Sequence, residues 1–263
     1  MPTIAHRTLR RRERALAARD PIMARLIAAA GPCTTEPRLE RSPFESLARA
    51  IAHQQLNGTA AERILGRFIA LYAPAEFPEP EALAVTADAA LRAVGFSFSK
   101  IRALRDLAEK VIAGIVPTTA ELHALDDDAI VERIVQVRGI GRWTVEMLLI
   151  FQLGRPDILP VDDFGICNGF RLAYGLKGMP TPRALAEYGT RWAPHRSLAA
   201  WYLWRAVDLS RAGKLLRAGR APRVALKEPR PKKAPVGSRA RAATRATTRR
   251  RTAAQHKRPA RPK

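Results

Sequence analysis

The chain has 263 residues, with 46 Lys and Arg against 24 Asp and Glu, so its formal net charge is +22. The charge is concentrated at both ends. Residues 1–19 hold six basic residues against one acidic, and residues 220–263 hold sixteen against one, whereas residues 20–219 hold 24 against 22. Two basic segments therefore flank a nearly neutral middle, and chains this basic usually bind nucleic acid or an anionic membrane surface.

Several protein classes are excluded by composition. The sequence contains no run of 18 apolar residues, the length needed to cross a membrane. Its basic N-terminal stretch also lacks the apolar core of a secretory signal. Cys33 and Cys167 are the only cysteines, which excludes a disulfide framework, a four-thiolate zinc site and a four-cysteine iron–sulfur cluster. The five histidines are scattered. We expect a protein of the reducing cytoplasm.

The middle of the chain is predicted to be all-α, because its apolar residues recur at helical spacing. Asp20 and Pro21 are a typical N-cap and first residue of a helix that continues through IMARLIAAA, and Pro43 begins another. Further helices are predicted over 59–72, from Ser97 or Ser99 to before Pro117, and over 127–136, 142–152, 164–173, 182–192 and 197–211. No segment alternates as a strand would, so we expect about ten helices.

The composition changes from Ala221 onward to Ala, Arg, Lys, Pro and Thr, with almost no large apolar residue after Leu226. Such a segment cannot bury enough surface to offset its ordering entropy, and we expect it to be disordered. It is either a solubilising polycation or a tether that binds DNA by releasing counterions. The predicted organisation is a basic N-terminal arm (1–19), a helical domain (20–219) and a basic tail (220–263).

Residues 135–144 read VQVRGIGRWT and join two predicted helices by a Gly-Ile-Gly turn, giving a helix-hairpin-helix over 127–152. The glycines permit close approach of a partner, and the second helix begins with unpaired N–H groups that favour an anion. The hairpin is either a tight helix–helix turn or a clamp for a DNA phosphate. The candidate DNA-backbone contacts are Gly139, Ile140, Gly141, Arg142 and Thr144.

About twenty residues later, Asp162 and Asp163 follow Pro160 and precede another predicted helix. An aspartate here is commonly an N-cap. Beside a phosphate-binding hairpin, a carboxylate is also suited to glycosidic chemistry, because it can stabilise an oxocarbenium ion or activate a water molecule.

The sequence resembles the helix-hairpin-helix (HhH-GPD) DNA glycosylases, in particular the 3-methyladenine DNA glycosylase II (AlkA-like) branch in its short, all-helical form. The resemblance covers roughly residues 40–210 and rests on five stretches in order: AIAHQQLNGTAA (50–61), GFSFSKIRALRDLA (95–108), VRGIGRWTVEMLLIF (137–151), LPVDDFGI (159–166) and HRSLAAWYLWRAVD (195–208). It implies two helical subdomains with the active-site cleft between them. The β-rich N-terminal domain of longer members has no counterpart in the forty residues before the first stretch.

The resemblance implies that Asp163 is the catalytic residue and that Asp162 is a cap or a helper. Relatives with lyase activity have a nucleophilic lysine where this chain has Trp143. The resemblance therefore implies monofunctional hydrolysis by water, with no required cofactor and no iron–sulfur cluster.

Aromatic residues would form the pocket for a base flipped out of the duplex. Alkylated purines such as 3-methyladenine and 7-methylguanine are cationic, and aromatic faces attract cations by roughly 0.5–2 kcal/mol. Aromatic side chains at helical spacing can equally belong to the core. We favour Trp143 and Trp204 for the pocket and leave Trp201 open. The candidate pocket residues are Trp143, Phe164, Trp201 and Trp204.

The segment after the first matched helix would insert a wedge into the gap left by the flipped nucleotide. Gln55 or Leu56 is the favoured wedge, Gln54 is an alternative, and all three could be a plain surface turn. The resemblance also implies a monovalent cation, Na⁺ or K⁺, at the hairpin. Its ligands would be the backbone carbonyls of Val135, Val137 and Ile140.

These observations predict a monomeric, nucleoid-associated alkylpurine glycosylase of base excision repair that acts on double-stranded DNA. Two alternatives stay open. One is a glycosylase for other lesions, such as deaminated purines. The other is a non-catalytic helix-hairpin-helix DNA-binding protein, which would have no need of a carboxylate aimed at DNA.

Overall fold

The computed structural model describes residues 4–215, which contain thirteen α-helices, one 3-10 turn and no strand. In chain order the helices are α1 (Ile4–Arg19), α2 (Pro21–Ala30), α3 (Pro43–His53), α4 (Gly58–Ala70), α5 (Pro80–Val85), α6 (Asp88–Ala93), α7 (Phe98–Ile112), α8 (Thr119–Ala124), α9 (Asp127–Ile134), α10 (Arg142–Phe151), α11 (Phe164–Ala173), α12 (Pro182–Gly189) and α13 (Arg196–Arg211). The 3-10 turn is Thr190–Trp192. Among these residues no helix is both long and apolar enough to cross a bilayer.

The all-α prediction is confirmed, but the helices outnumber the expected ten. Three that the periodicity did not predict, α5, α6 and α8, have only six residues each. A helix of one and a half turns is too short to show a 3.6-residue repeat. The predicted disordered tail, 220–263, lies outside the described residues.

Helices α3 to α10 enclose a first hydrophobic core. Its fully buried side chains include Leu47 and Ile51 of α3, Leu104 and Leu107 of α7, and Leu149 of α10. This spacing of three or four residues places one apolar stripe of each helix inward. The core thereby holds the hairpin between α9 and α10 against α3 and α7.

Helices α1, α2 and α11 to α13 enclose a second core. The segment that the sequence predicts as a basic arm is, from Ile4 to Arg19, helix α1 of this core. Leu16 of α1 is fully buried, and the buried Glu13 carboxylate accepts hydrogen bonds from Cys33 N at 2.8 Å and Tyr202 Oη at 2.7 Å. These contacts join α1 to α13, so the basic segment is part of the folded domain, with most of its arginines exposed.

Asp20 is a buried carboxylate that ties this second core together. It caps α2 through Ile22 N at 2.9 Å and accepts hydrogen bonds from Tyr174 Oη at 2.7 Å and Trp192 Nε1 at 3.0 Å. A buried carboxylate is tolerated only when such donors satisfy it. The N-cap that the sequence predicts at Asp20 is confirmed.

Helices α11 and α13 lie in direct backbone contact. A Cβ on Gly169 of α11 would overlap the Leu203 carbonyl of α13, so only glycine permits this approach. The close packing fixes the position of the α11 N-terminus relative to the side chains of α13.

Candidate active site

Asp163 is the N-cap of α11. Its Oδ1 accepts a hydrogen bond from Ile166 N at 2.7 Å, the usual arrangement for an aspartate that begins a helix. The neighbouring Asp162 is exposed, and its carboxylate accepts no hydrogen bond from the described residues. The two adjacent carboxylates thus differ: one is held in place and the other is free in solvent.

Two tryptophans complete the environment of Asp163. Trp143 Nε1 donates to Oδ2 at 2.8 Å, and Trp204 Nε1 donates to Oδ1 at 2.9 Å. Trp143 belongs to α10 beside the first core, and Trp204 to α13 of the second, so the carboxylate lies where the two cores meet. An ionised carboxylate has about four acceptor positions, and three are used here. One position on Oδ2 therefore stays open.

The predicted aromatic residues separate into two groups. Trp143 and Trp204 contact Asp163, and the neighbouring Phe164 exposes 76% of its surface. Trp201 makes no hydrogen bond to Asp163: it packs edge-on against Tyr202 with ring centroids 4.9 Å apart, and it lines a cavity that Trp143, Phe164 and Trp204 do not line. Its role in the base pocket stays a prediction.

The hairpin presents free backbone donors. Gly139 has a positive φ of 77°, which a residue with a Cβ rarely adopts, and Gly141 caps α10 without a side-chain hydrogen bond. The N–H groups of Gly139, Gly141, Arg142 and Trp143 donate to no oxygen of the described residues. Four such donors at a helix N-terminus suit a phosphate.

Two of the predicted backbone contacts are already used inside the hairpin. Ile140 N donates to Val137 O at 3.0 Å, and Thr144 N donates to Gly141 O at 2.9 Å. Both side chains are buried. They stabilise the turn, whereas the free N–H groups are the ones available to DNA.

Arg142 and Glu146 form a pair that the sequence did not indicate. Arg142 Nε lies 3.2 Å from Glu146 Oε1, and the Glu146 side chain is almost completely buried. Burial raises the pKa of Glu146, the Arg142 guanidinium opposes this, and Asp162 and Asp163 add to the increase. The one available signal was a carboxylate within the apolar pattern of α10.

The turn between α3 and α4 contacts the hairpin directly. Gln54 Nε2 donates to Gly139 O at 2.9 Å, whereas the next two residues, Gln55 and Leu56, are exposed. Gln55 has a φ of 57°, rare for a residue with a side chain, and such strain often marks functional positions. Of the three wedge candidates, Gln54 is engaged with the hairpin and the other two are free to project.

The hairpin carbonyls are compatible with a cation. The oxygens of Val135 and Ile140 accept no hydrogen bond from the described residues, while Val137 O accepts one from Ile140 N. Carbonyl oxygens are suitable ligands for hard cations. Within residues 4–215 no group of three or more His, Cys, Asp or Glu side chains could bind a metal.

The hairpin has free N–H groups for a phosphate, and the exposed turn after α3 is bonded to it. Two indoles hold the Asp163 carboxylate nearby. This combination is typical of a helical enzyme that acts on DNA. Residues 48–195 match the family model of the HhH-GPD superfamily base excision DNA repair proteins. This match spans more than half of the chain and includes the turn, the hairpin and Asp163. The chain belongs to this superfamily.

Individual relatives agree with this assignment. DNA-3-methyladenine glycosylase 1 of Schizosaccharomyces pombe is 43% identical to this chain, and the match covers 65% of this chain and 75% of that protein. DNA-3-methyladenine glycosylase 2 of Escherichia coli is 30% identical over 61% of this chain and 56% of its own length. A solved structure of the S. pombe 3-methyladenine DNA glycosylase with abasic DNA superimposes with a TM-score of 0.70, covering 76% of this chain and 98% of that one at 39% identity.

Proposed function

We propose that this protein is a monofunctional DNA glycosylase that removes alkylated purines, of the 3-methyladenine and 7-methylguanine type, in base excision repair. The observation that carries the proposal is the Asp163 carboxylate, which Trp143 and Trp204 hold from opposite sides at the hairpin. The names of the relatives support the same substrate class.

Binding begins with the DNA backbone. The free N–H groups of the hairpin receive a phosphate, with the exposed Arg142 guanidinium beside it. Gln55 or Leu56 enters the base stack and fills the gap left by the flipped nucleotide. The flipped base then reaches the aromatic surface of Trp143, Phe164 and Trp204, and cation–π attraction favours a positively charged base.

Asp163 then acts on the sugar. Its negative charge stabilises the oxocarbenium ion that develops as the glycosidic bond breaks and the electron pair leaves with the purine. Water adds to C1′, and its proton passes to the open position on Oδ2. An alkylated purine leaves as a neutral base, so little help from a general acid is required.

Further expectations accompany this function. The partner is double-stranded DNA containing alkylated bases, and the protein acts as a monomer. A Na⁺ or K⁺ ion bound by the Val135, Val137 and Ile140 carbonyls would neutralise part of the charge of the bound phosphate. The basic composition and the two buried free cysteines favour a nucleoid-associated, cytoplasmic location.

The test is base release from duplex DNA. Purified full-length protein is incubated with duplexes carrying one 7-methylguanine, one hypoxanthine or no lesion, and released bases are identified by mass. We expect free 7-methylguanine and an intact abasic strand. Release of hypoxanthine alone would show that the substrates are deaminated purines. Tight binding without any release would show that the protein binds DNA without catalysis.

A further inference from the structure

A cavity of about 660 Å³ lies behind the aromatic residues of the active site. Its wall is formed by α1, the segment 32–37, the end of α10 and the start of α13. Leu9, Leu198 and Trp201 supply apolar walls, and Phe151 belongs to the wall as well. Asp163, Trp143 and Trp204 do not line this cavity. The cavity therefore lies next to the site of Asp163 but is lined by other residues.

Phe151 forms the partition between them. Its ring stacks on Trp204 with centroids 5.7 Å apart and an interplanar angle of 28°, and Trp204 Nε1 donates to Asp163. The same ring lines the cavity. The sequence of contacts from the carboxylate to the cavity is thus Asp163, Trp204, Phe151 and cavity.

The backbone of Phe151 is held from the opposite side. Its carbonyl accepts a hydrogen bond from Arg38 N at 2.9 Å, and the next residue, Gln152, donates through Nε2 to Arg41 O at 2.7 Å. These contacts anchor the backbone of Phe151 to the segment before α3, and the stacking on Trp204 orients its ring. Side-chain size at position 151 then determines how far a group beside Trp204 can extend.

We infer that Phe151 is a specificity-determining residue that limits the size of the substituent on the excised purine, by closing the active site off from the cavity. The inference rests on the proposed function. A base with a methyl substituent fits on the Asp163 side of the partition. A base with a bulky apolar substituent needs the space behind it, which the walls of Leu9, Leu198 and Trp201 would receive.

The test compares single-turnover release of 7-methylguanine and 7-benzylguanine from otherwise identical duplexes by the full-length protein. We expect the wild type to favour the methyl base, and Phe151→Ala to reduce the ratio of the two rates by roughly tenfold or more, as steric pocket discrimination does. Phe151→Leu, which keeps an apolar core side chain, should give an intermediate ratio. General loosening of the fold would lower both rates and leave the ratio unchanged.

Leu9→Ala is the matched control, because Leu9 also lines the cavity but belongs to α1 and takes no part in the stack of Phe151 on Trp204. It should keep the wild-type ratio. An unchanged ratio in both Phe151 variants, or an equal change in Leu9→Ala, overturns the inference while leaving the proposed function standing. A wild type that releases neither base overturns the proposed function, and the inference with it.

Discussion

Gly165 lies so close to Trp204 that a Cβ at this position would stand 2.9 Å from Trp204 Cδ1. The same Cβ would be 3.1 Å from Asp163 Oδ1. The hydrogen bond between Trp204 and Asp163 therefore requires a glycine at position 165, because any side chain there would push Trp204 and Asp163 apart.

Gly165→Ala should accordingly reduce base excision by roughly tenfold, since the Cβ must displace Trp204 and Asp163 by part of the distance of about 1 Å that costs about 10²-fold. The melting temperature should fall slightly as well, because the new Cβ displaces Trp204, which packs against the second core, so excision is compared where both proteins are folded. Gly66→Ala is the control: Gly66 lies in α4 with nothing near its missing Cβ, so excision should stay unchanged. Wild-type activity in Gly165→Ala would show that the indole contact tolerates displacement.

Asp163→Asn should lower the single-turnover rate by at least roughly 10²–10³-fold, because removing charge stabilisation at a reacting centre has effects of this size. The amide must also turn its NH₂ toward an N–H donor, since Ile166 N, Trp143 Nε1 and Trp204 Nε1 occupy both carboxylate oxygens. Affinity for DNA, measured by fluorescence anisotropy, should be equal or higher.

Asp162→Asn separates the neighbouring carboxylates. Asp162 is exposed and unbonded among the described residues, so this variant should retain activity within a few fold of wild type. Loss of activity in Asp162→Asn with retention in Asp163→Asn would reverse the assignment.

Glu146→Gln should stabilise the protein at neutral pH. Burial raises the pKa of Glu146 in the folded state above its ordinary value of 4.5, so the unfolded chain ionises first as the pH rises. The contribution of Glu146 to the free energy of unfolding is therefore fully present below pH 4.5, and it is lost as the pH rises through the pKa of Glu146 in the folded protein. The gain in melting temperature should therefore be largest at neutral pH and shrink toward pH 4.5.

The same variant also tests the pairing with Arg142. Loss of the charge at Glu146 would leave Asp128, 3.5 Å from Arg142 Nη2, as the acidic partner of the guanidinium, so Glu146→Gln should bind DNA at least as tightly as the wild type. A melting temperature that falls at neutral pH and returns to the wild-type value toward acid pH would mean that the ionised pair is net stabilising, contrary to this expectation.

The parts of the site that could be predicted are those specified by local sequence. Asp163 as an N-cap and the Gly-Ile-Gly turn depend on neighbours within three or four residues. Trp201 and Trp204 could not be distinguished in this way, because they lie only about 60° apart around one helix. The packing of α13 against α11 decides which indole contacts Asp163.

Contacts between distant segments account for what the sequence did not show. Phe151 and Trp204 are 53 positions apart by their numbers, and Gln54 and Gly139 are 85 apart. Nothing in the spacing along the chain indicates that these residues meet. They meet because the two cores place α10 against α13 and α3 against the hairpin.

Borohydride should trap no covalent complex between the protein and damaged DNA. Trp143 has no amine and donates its indole N–H to Asp163, so it cannot form a Schiff base. Lys100, whose pKa is lowered by burial, donates through Nζ to Ala52 O at 2.6 Å and is held at the end of α3. A trapped adduct that disappears in Lys100→Gln would contradict the monofunctional mechanism.

The final prediction concerns residues 220–263, with sixteen basic residues against one acidic, and follows from charge alone. If six to eight of these charges meet phosphates, the slope of log K against log salt should steepen by about 5–7 units. A chain ending at Ala218 should therefore bind undamaged duplex much more weakly at low salt. The two forms should converge as salt rises, because released counterions then gain less entropy. Single-turnover excision at saturating protein should barely change, since Asp163, both indoles and the hairpin remain in the shortened chain. An unaltered salt slope would show that residues 220–263 do not contribute to DNA binding. A loss of single-turnover excision at saturating protein would show that these residues contribute to folding or to the active site.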